Sequence, residues 1–264
     1  MFKKINKYLI IVFFIILSIG CTTYKNINCK YTEYISSIKV YPHKNDSFTE
    51  GLFFYNNELY ESTGLYGKSK VYKNINLKTG EESKSYSFDD LVFAEGSVIY
   101  NNKLYVLTYK EKKVFEFDFE SLEVTHVYDY GREGWGLTTD GEYLIASDGS
   151  ENIYYMDEYL NDVKNIKVTK NGKYIKNINE LEYINGYIWA NVWETDIILI
   201  INSKTGEVVK QIDFSGILSD KYKDENIDVL NGIAWNDGKL YITGKNYPVI
   251  FECKVSEKLF KEIK

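Results

Sequence analysis

The chain has 264 residues, a formal net charge of −6 and an apolar fraction of 44%, which is enough for one large packed core. Twenty-five tyrosines and only two prolines favour β-sheet and argue against disorder. An acidic chain whose lysines are scattered singly has no basic stripe for phosphate groups, so we expect no nucleic-acid partner.

The N-terminus predicts an export signal. Three lysines precede an apolar run, Leu9–Leu17, and a small residue, Gly20, stands directly before Cys21. This arrangement resembles a bacterial lipoprotein signal, although Ser18 stands where leucine is usual. An ordinary secretory signal or an uncleaved anchor is the alternative, and in each case the folded part is exported because the apolar run is short for a membrane span.

We therefore expect residues 1–21 to be a signal peptide that ends at a lipidated Cys21, and residues 22–34 to be a tether. The protein is then an exported bacterial lipoprotein on the extracytoplasmic side of the membrane. Its only membrane contact is the N-terminal lipid.

A hairpin phrase recurs five times along the rest of the chain. Each copy has a short apolar strand, a tight Asn/Asp/Gly turn and a second strand rich in aromatic and aliphatic residues, which is typical of a β-hairpin. The copies begin at Gly51, Gly96, Gly136, Glu180 and Gly232, with spacings of 45, 40, 44 and 52 residues. A strand-built period near 45 residues predicts an all-β protein, a five-bladed β-propeller over residues 35–264, which we expect to be a monomer.

The remaining cysteines and the C-terminus leave alternatives open. Cys29 and Cys253 lie near opposite ends of the ring, and in an exported protein they form either a disulfide that closes it or two unlinked thiols. No cysteine or histidine spacing indicates zinc. The segment Lys254–Lys264 alternates charged and apolar residues, and it either completes the last blade or hangs free.

Two phases of the repeat carry unusual residues. The position before each repeat start, at the entrance to the strand expected to run innermost, holds Glu50, Glu95, Trp135, Asn179 and Asn231. The position fourteen residues later, at the far end of the second strand, holds Gly64, Tyr109, Gly149, Trp193 and Lys245.

Both phases fall on the same face of a propeller, so the polar members are expected in one mouth walled by the aromatic ones. A concave aromatic site with a few converging polar groups is the usual form of a small-ligand pocket. Each residue also has a plain structural interpretation, such as an edge charge, a turn or inter-blade packing. The concentration of unusual residues on two phases favours a site.

The same residues carry a resemblance to a known family. Five strings resemble those of the plant-type glutaminyl-peptide cyclotransferases, which also occur in bacteria, and they run in the expected order from about Ile35 to Phe251. The strings are Phe48-Thr49-Glu50-Gly51-Leu52, Glu61-Ser62-Thr63-Gly64-Leu65-Tyr66-Gly67, Phe93-Ala94-Glu95-Gly96, Asn179-Glu180-Leu181-Glu182-Tyr183 and Thr243-Gly244-Lys245. The resemblance implies a five-bladed propeller enzyme that converts an N-terminal glutaminyl residue of a peptide or protein to pyroglutamate and releases ammonia. It implies neither a catalytic metal nor a cofactor.

The resemblance also implies residue roles. The catalytic glutamate falls on Glu95, and the amide and ammonium donors fall on Asn179 and Lys245. The pocket aromatics fall on Phe48, Phe93, Trp135 and Trp193. The chain departs from the family pattern at three positions, where glutamine or tryptophan is common: Glu50, Tyr109 and Tyr247.

The chemistry fits these residue types. One carboxylate, Glu95, accepts a proton from the attacking α-amine and passes it to the departing nitrogen. Burial among aromatic rings is expected to raise its pKa toward the working pH. Glu50 either binds the substrate's α-ammonium, tunes Glu95 or serves as a second acid/base, and the oxyanion donor remains open among Asn179, Asn231 and Lys245. We expect Tyr109 and Asn231 to contact substrate together with the other cavity residues.

Two other classes of function are compatible with a propeller. Channel glutamates and asparagines hold a divalent ion in lactonase-like hydrolases, but the ammonium of Lys245 at the same mouth argues against a cation there. A non-catalytic surface lipoprotein that only binds a partner is the other alternative.

Overall fold

The computed structural model describes residues 33–222 and 224–263, and within them the chain forms five four-stranded antiparallel sheets and one two-stranded sheet. The prediction of an all-β, five-bladed β-propeller is confirmed. Blades 1 to 4 each follow chain order from the innermost strand outward.

The strands are numbered in chain order. The first, β1 (Ile35–Pro42), joins the last blade. Blade 1 contains β2 (Thr49–Tyr55), β3 (Glu58–Thr63), β4 (Lys70–Lys73) and β5 (Lys84–Ser87). Blade 2 contains β6 (Ala94–Tyr100), β7 (Lys103–Thr108), β8 (Lys113–Asp118) and β9 (Val124–Asp129). Blade 3 contains β10 (Leu137–Thr139), β11 (Leu144–Ser147), β12 (Asn152–Met156) and β13 (Asp162–Lys167).

A small hairpin, β14 (Thr169–Lys170) and β15 (Lys173–Tyr174), precedes blade 4. Blade 4 contains β16 (Ile178–Ile184), β17 (Tyr187–Val192), β18 (Ile197–Asn202) and β19 (Val208–Asp213). A short 3-10 turn, Asp220–Tyr222, follows it. Blade 5 contains β20 (Leu230–Asn236), β21 (Lys239–Gly244), β22 (Val249–Val255) and β1, and one helix, α1 (Glu257–Glu262), ends the described chain.

The hairpin turns explain the repeated Asn/Asp/Gly pairs. A two-residue type I′ turn requires positive φ at both central residues, which Asn, Asp and Gly tolerate best. Four of the five innermost hairpins meet this requirement, at Asn56–Asn57, Asn101–Asn102, Asn185–Gly186 and Asp237–Gly238. The turn residues therefore fix where the chain reverses direction in these four inner hairpins.

The ring is closed by strands from opposite ends of the chain. β1 pairs antiparallel with β22, so blade 5 takes its outermost strand from the N-terminal side. The innermost strands β2, β6, β10, β16 and β20 contact one another in that order, and β20 contacts β2. Apolar layers fill the spaces between adjacent blades, for example around Phe53, Phe88 and Phe117 between blades 1 and 2.

The C-terminal segment completes the last blade with its first two residues only, because β22 ends at Val255. After β22 it forms α1, with Ser256 as N-cap accepting a hydrogen bond from the backbone N–H of Lys258. Leu259 and Ile263 are buried in the core that blades 4 and 5 share, and the hydroxyl of Tyr187 donates to the carbonyl of Ile263. The segment therefore caps the outside of the ring as a packed helix.

Several predictions concern the N-terminal residues 1–32, which lie outside the described residues. They include the signal peptide, Cys21, most of the tether and Cys29. Cys253 is fully buried in β22, and its pairing with Cys29 stays a prediction. Across residues 33–222 and 224–263, none of the helical segments has both the length and the apolar character that crossing a bilayer requires.

Candidate active site

A cavity of about 230 Å³ opens on the face of the ring where the innermost strands begin. It is lined by Phe48, Glu50, Phe93, Glu95, Tyr109, Trp135, Asn179, Trp193, Asp228 and Lys245. Nine of the ten residues that the sequence assigned to the site therefore lie on its wall, and only Asn231 does not. The first phase lies at the start of each innermost strand, and the second follows the end of the strand that pairs with it. Because the two strands of a hairpin are antiparallel, both positions fall on the same face of the ring.

The polar centre of the cavity is a pair of buried carboxyl groups. Glu50 is 1% exposed and Glu95 is 6% exposed, and both line the same cavity. Burial raises the pKa of Glu95 well above its usual range, and the negative charge of Glu50 raises it further. Burial also raises the pKa of Glu50, but the ammonium of Lys245 opposes this effect. Burial therefore favours the protonated form of Glu95, while the ammonium of Lys245 favours the charged form of Glu50.

Lys245 fixes the negative charge on Glu50. Its Nζ lies 2.7 Å from Glu50 Oε1 and 4.5 Å from the centre of the Phe48 ring. Its backbone N–H donates to the carbonyl of Val229 (2.9 Å), and its carbonyl accepts from the N–H of Asp228 (3.1 Å). This backbone pairing places Asp228 on the cavity wall.

Aromatic rings form two walls. On one side, Phe93 contacts Phe48 edge-on at 6.3 Å and Tyr109 at 5.7 Å between ring centres. On the other side, the indoles of Trp135 and Trp193 meet at 5.7 Å and 88°. Because these rings exclude water from the carboxyl pair, they account for the large effect of burial on its pKa values.

Two glycines on the second phase make room for these rings. A Cβ on Gly64 would lie 2.3 Å from Cε1 of Phe93, and a Cβ on Gly149 would lie 2.6 Å from Cζ2 of Trp135. Gly149 also has φ +77°, which favours glycine. Blades 1 and 3 therefore use glycine at the phase where the other three blades place Tyr109, Trp193 and Lys245.

Asn231 lies behind the cavity rather than on its wall. Its Nδ2 donates to the carbonyl of Thr49 at 2.9 Å and to Glu50 Oε2 at 3.3 Å. Thr49 and Glu50 belong to blade 1, so the amide of Asn231 bridges blades 5 and 1 and holds one oxygen of Glu50. The sequence predicts that Asn231 contacts substrate, but its side chain is 0% exposed and does not line the cavity.

Asn179 is buried on the cavity wall, at 2% exposure. Its Oδ1 and the Nε1 of Trp135 have no hydrogen-bond partner among the described residues. Buried polar atoms are normally paired, so these two are available to a ligand's polar groups.

Sequence reasoning missed Asp228 and the polar residues that support the site. The acidic loop before β20 gives no pattern that singles out Asp228. The supporting serines, in contrast, share a repeat phase, because Ser62 follows Gly51 by eleven residues and Ser147 follows Gly136 by eleven. Each hydroxyl donates to the backbone carbonyl of a site residue in the next blade, Ser62 to Glu95 (2.6 Å) and Ser147 to Asn179 (2.7 Å).

Among residues 33–222 and 224–263, no group of three or more His, Cys, Asp and Glu side chains has a metal-binding arrangement. In the cavity, an ammonium occupies the Glu50 oxygen that a cation would otherwise approach.

The fold and the cavity together define a propeller protein whose small aromatic cavity holds two buried carboxyl groups. Residues 12–255 match the family model described as glutamine cyclotransferase. The chain is 37% identical over 232 residues to an Arabidopsis thaliana glutaminyl-peptide cyclotransferase, covering 84% of this chain and 72% of the relative. The crystal structure of Myxococcus xanthus glutaminyl cyclase superposes with a TM-score of 0.76 at 30% identity, covering 82% of this chain and 94% of that one.

The chain belongs to the glutamine cyclotransferase family, as the resemblance of its motifs predicts.

Proposed function

We propose that this protein is a glutaminyl-peptide cyclotransferase, which converts N-terminal glutaminyl residues of peptides or proteins to pyroglutamate and releases ammonia. The observation that carries the proposal is the burial of Glu95 beside Glu50 in an aromatic cavity, which raises the pKa of Glu95 well above its usual range. Family membership supports the same reaction.

The reaction needs a group that gives and takes one proton. The substrate's α-amine attacks the carbon of its own γ-carboxamide, a C–N bond forms, and the carboxamide nitrogen leaves as ammonia. Glu95 donates its proton to the departing nitrogen as the bond between the γ-carbon and the carboxamide nitrogen breaks. The resulting carboxylate takes the proton that the attacking nitrogen loses, so the enzyme returns to its starting state.

The oxyanion at the γ-carbon needs hydrogen-bond donors in place before reaction. The ammonium of Lys245 uses one proton on Glu50 and has two more, and the amide of Asn179 lies on the same cavity wall. Asn179 also has an unpartnered Oδ1 that suits an N–H of the substrate. We assign oxyanion stabilisation to Lys245 and Asn179, and Asn231 acts through Glu50.

The reaction is intramolecular, so its rate depends on holding the substrate side chain folded toward the amine. The paired indoles of Trp135 and Trp193 supply a restraining wall for the methylene groups, and Phe48, Phe93 and Tyr109 supply the opposite wall. Glu50 contributes the negative charge that attracts the substrate's amino terminus.

The decisive experiment measures ammonia released from a Gln-initiated dipeptide by the wild type and by Glu95→Gln. We expect the substitution to lower kcat by about 10²–10⁴, the usual contribution of a positioned acid/base. Glu116→Gln is the matched control, because Glu116 is a buried carboxylate paired with Lys103 (3.0 Å) outside the cavity. Full ammonia release by Glu95→Gln, or none by the wild type, would contradict the proposal.

We also propose that the reaction is metal-independent, since the Lys245 ammonium would repel a divalent ion at Glu50. Activity is expected to persist in excess chelator after dialysis. Loss of activity that added metal restores would overturn this part of the proposal and favour a metal-assisted hydrolase.

The leader motif supports a further proposal, that the protein is exported and lipidated at Cys21. We also propose that its folded part acts as a monomer. Labelled fatty acid is expected to enter the wild type but not Cys21→Ser, and the variant is expected in the soluble fraction. Equal labelling of both, or a dimer in light scattering of the folded part, would contradict it.

A further inference from the structure

The string Glu61–Gly67 is a distinctive motif of the chain, yet apart from Gly64, which makes room for Phe93, the site uses none of its loop. β3 ends at Thr63, and the loop that follows carries Tyr66 to the rim of the cavity. The Tyr66 side chain is 50% exposed and its ring contacts Phe93 edge-on, at 5.5 Å and 74°. A half-exposed ring therefore continues one aromatic wall outward into solvent.

The backbone of this loop is held in an unfavourable conformation. Leu65 has φ +82°, in a region that leucine rarely adopts. Its carbonyl accepts hydrogen bonds from the N–H of Lys68 (3.0 Å) and the hydroxyl of Ser69 (2.9 Å), which keep the loop in place. Such conformations persist where surrounding contacts determine them, and they are found mostly at functional sites and ligand clamps.

A single carboxylate ties the rim to the cavity wall. The Tyr66 hydroxyl donates to Glu111 Oε1 at 2.9 Å, and the backbone N–H of Phe93 donates to Glu111 Oε2 at 3.2 Å. Tyr66 is thus fixed at three points: its strained backbone, its ring edge and its hydroxyl. An aromatic ring that is already ordered loses little entropy when it binds a ligand.

The size of the cavity decides what must contact this ring. At about 230 Å³ it is smaller than the pockets of roughly 300–1,000 Å³ that hold drug-sized ligands. Both reacting groups of the substrate belong to its first residue, so that residue fills the cavity. The second residue must leave through the mouth and pass the rim.

We propose that Tyr66 forms a subsite for the second residue of the peptide substrate and that it favours an aromatic or large apolar side chain there. This inference rests on the proposed function, whose substrate class it narrows. Tyr66 acts as a specificity-determining residue, and Glu111 positions it.

The test compares two substrates, the amides of Gln-Phe and Gln-Ala. The wild type is expected to prefer Gln-Phe by about threefold to tenfold in kcat/KM, the factor that an added aromatic contact supplies. Tyr66→Ala is expected to bring this ratio to about one, because kcat/KM for Gln-Phe loses about the factor that the ring contact supplied. Tyr66→Phe keeps the ring and is expected to retain most of the preference.

The control is Tyr159→Ala, which removes an exposed tyrosine in blade 3, away from the cavity, and is expected to leave the ratio unchanged. Two results would overturn the proposal. One is an unchanged ratio in Tyr66→Ala. The other is an equal loss on both peptides, because Tyr66 would then only support Phe93.

Binding separates this inference from the proposed function. In the Glu95→Gln background, quenching of tryptophan fluorescence gives the Kd of each peptide without turnover. The Kd ratio is expected to follow the same pattern with Tyr66→Ala. If the wild type releases no ammonia, the proposed function fails, and the Kd ratio still decides whether Tyr66 contacts the second residue.

Discussion

Glu50 is the residue whose charge most changes the cavity. It is held by Lys245 on one oxygen and by Asn231 on the other, and its charge raises the pKa of Glu95. At a position where the family commonly has glutamine, this chain therefore has an anion. That anion stabilises the protonated form of Glu95, so the acid/base stays loaded at a higher pH.

Replacing Glu50 by glutamine is expected to move the pH dependence of kcat. Burial and the charge of Glu50 raise the pKa of Glu95, and its proton is needed for the departing nitrogen, so activity is lost as pH rises through that pKa. Without Glu50 the pKa of Glu95 falls, and the ammonium of Lys245 lowers it further. The alkaline limb is expected to shift to lower pH in a kcat profile from about pH 5 to 9.

The control for this shift is again Glu116→Gln, which removes a buried carboxylate paired with a lysine but leaves the cavity intact. Its alkaline limb is expected to coincide with that of the wild type. An unshifted limb in Glu50→Gln would show that the Glu50 charge does not govern the acid/base.

At the scale of elements, the innermost strands of blades 2 and 4 are tied to the hairpins of blades 1 and 3. Ser147 at the end of β11 accepts from the N–H of Gly136 and donates to the carbonyl of Asn179, both at 2.7 Å. Ser62 links blade 1 to the carbonyl of Glu95 in the same way. Backbone groups beside the site residues are thus pinned across blade boundaries, and this sets the height of each side chain in the cavity.

Ser147→Ala is expected to destabilise the fold and to disturb the site together. It leaves the buried N–H of Gly136 without this partner, which costs about 1–3 kcal/mol, measurable by urea unfolding. Because the carbonyl of Asn179 also loses its partner, we expect kcat to fall. Thr139→Ala is the matched control, since the Thr139 hydroxyl donates to Tyr143 within its own hairpin at 2.7 Å. An effect on kcat no larger than that of the control would contradict the pinning role.

At the scale of the whole molecule, stability depends on closing the ring between blades 5 and 1. Beyond the β1–β22 pairing, the buried ring of His43 contacts both oxygens of Glu61 at 3.1 Å and the carbonyl of Tyr247 at 2.8 Å. These contacts join the end of β1 to the second strand of blade 1. Burial alone would lower the pKa of His43, but the carboxylate of Glu61 and the Tyr247 carbonyl raise it above 6.5 overall.

A raised pKa means that the native state binds the proton more tightly than the unfolded chain. The stabilisation from His43 is then complete below its unfolded pKa, near 6.5, and is lost as pH rises through the higher folded-state pKa. His43→Gln is therefore expected to lower Tm most at about pH 6 and progressively less toward about pH 9. His126→Gln is the control, because His126 lies exposed on the outer strand β9. A Tm difference that is constant with pH would contradict the assignment.

Local chemistry accounts for what the sequence determines by itself. Pairs such as Asn56–Asn57 adopt positive φ, so the turns, the repeat and the number of blades follow from residues close together in the chain. The same period brings Glu95, Asn179 and Lys245 to one mouth, because equivalent positions in a closed ring share a radius and a height.

Only the tertiary structure decides which partner each polar side chain near the cavity binds and whether that side chain reaches the cavity wall. Asn231 has the same repeat phase as Asn179, but a carbonyl and a carboxyl of blade 1 draw it out of the cavity wall. Asp228 enters the wall only because its backbone pairs with that of Lys245. The raised pKa of Glu95 depends on burial by rings from several blades and on the charge of Glu50, which belongs to a different blade. Hydrogen bonding and burial act through space, so no pattern along the chain records them.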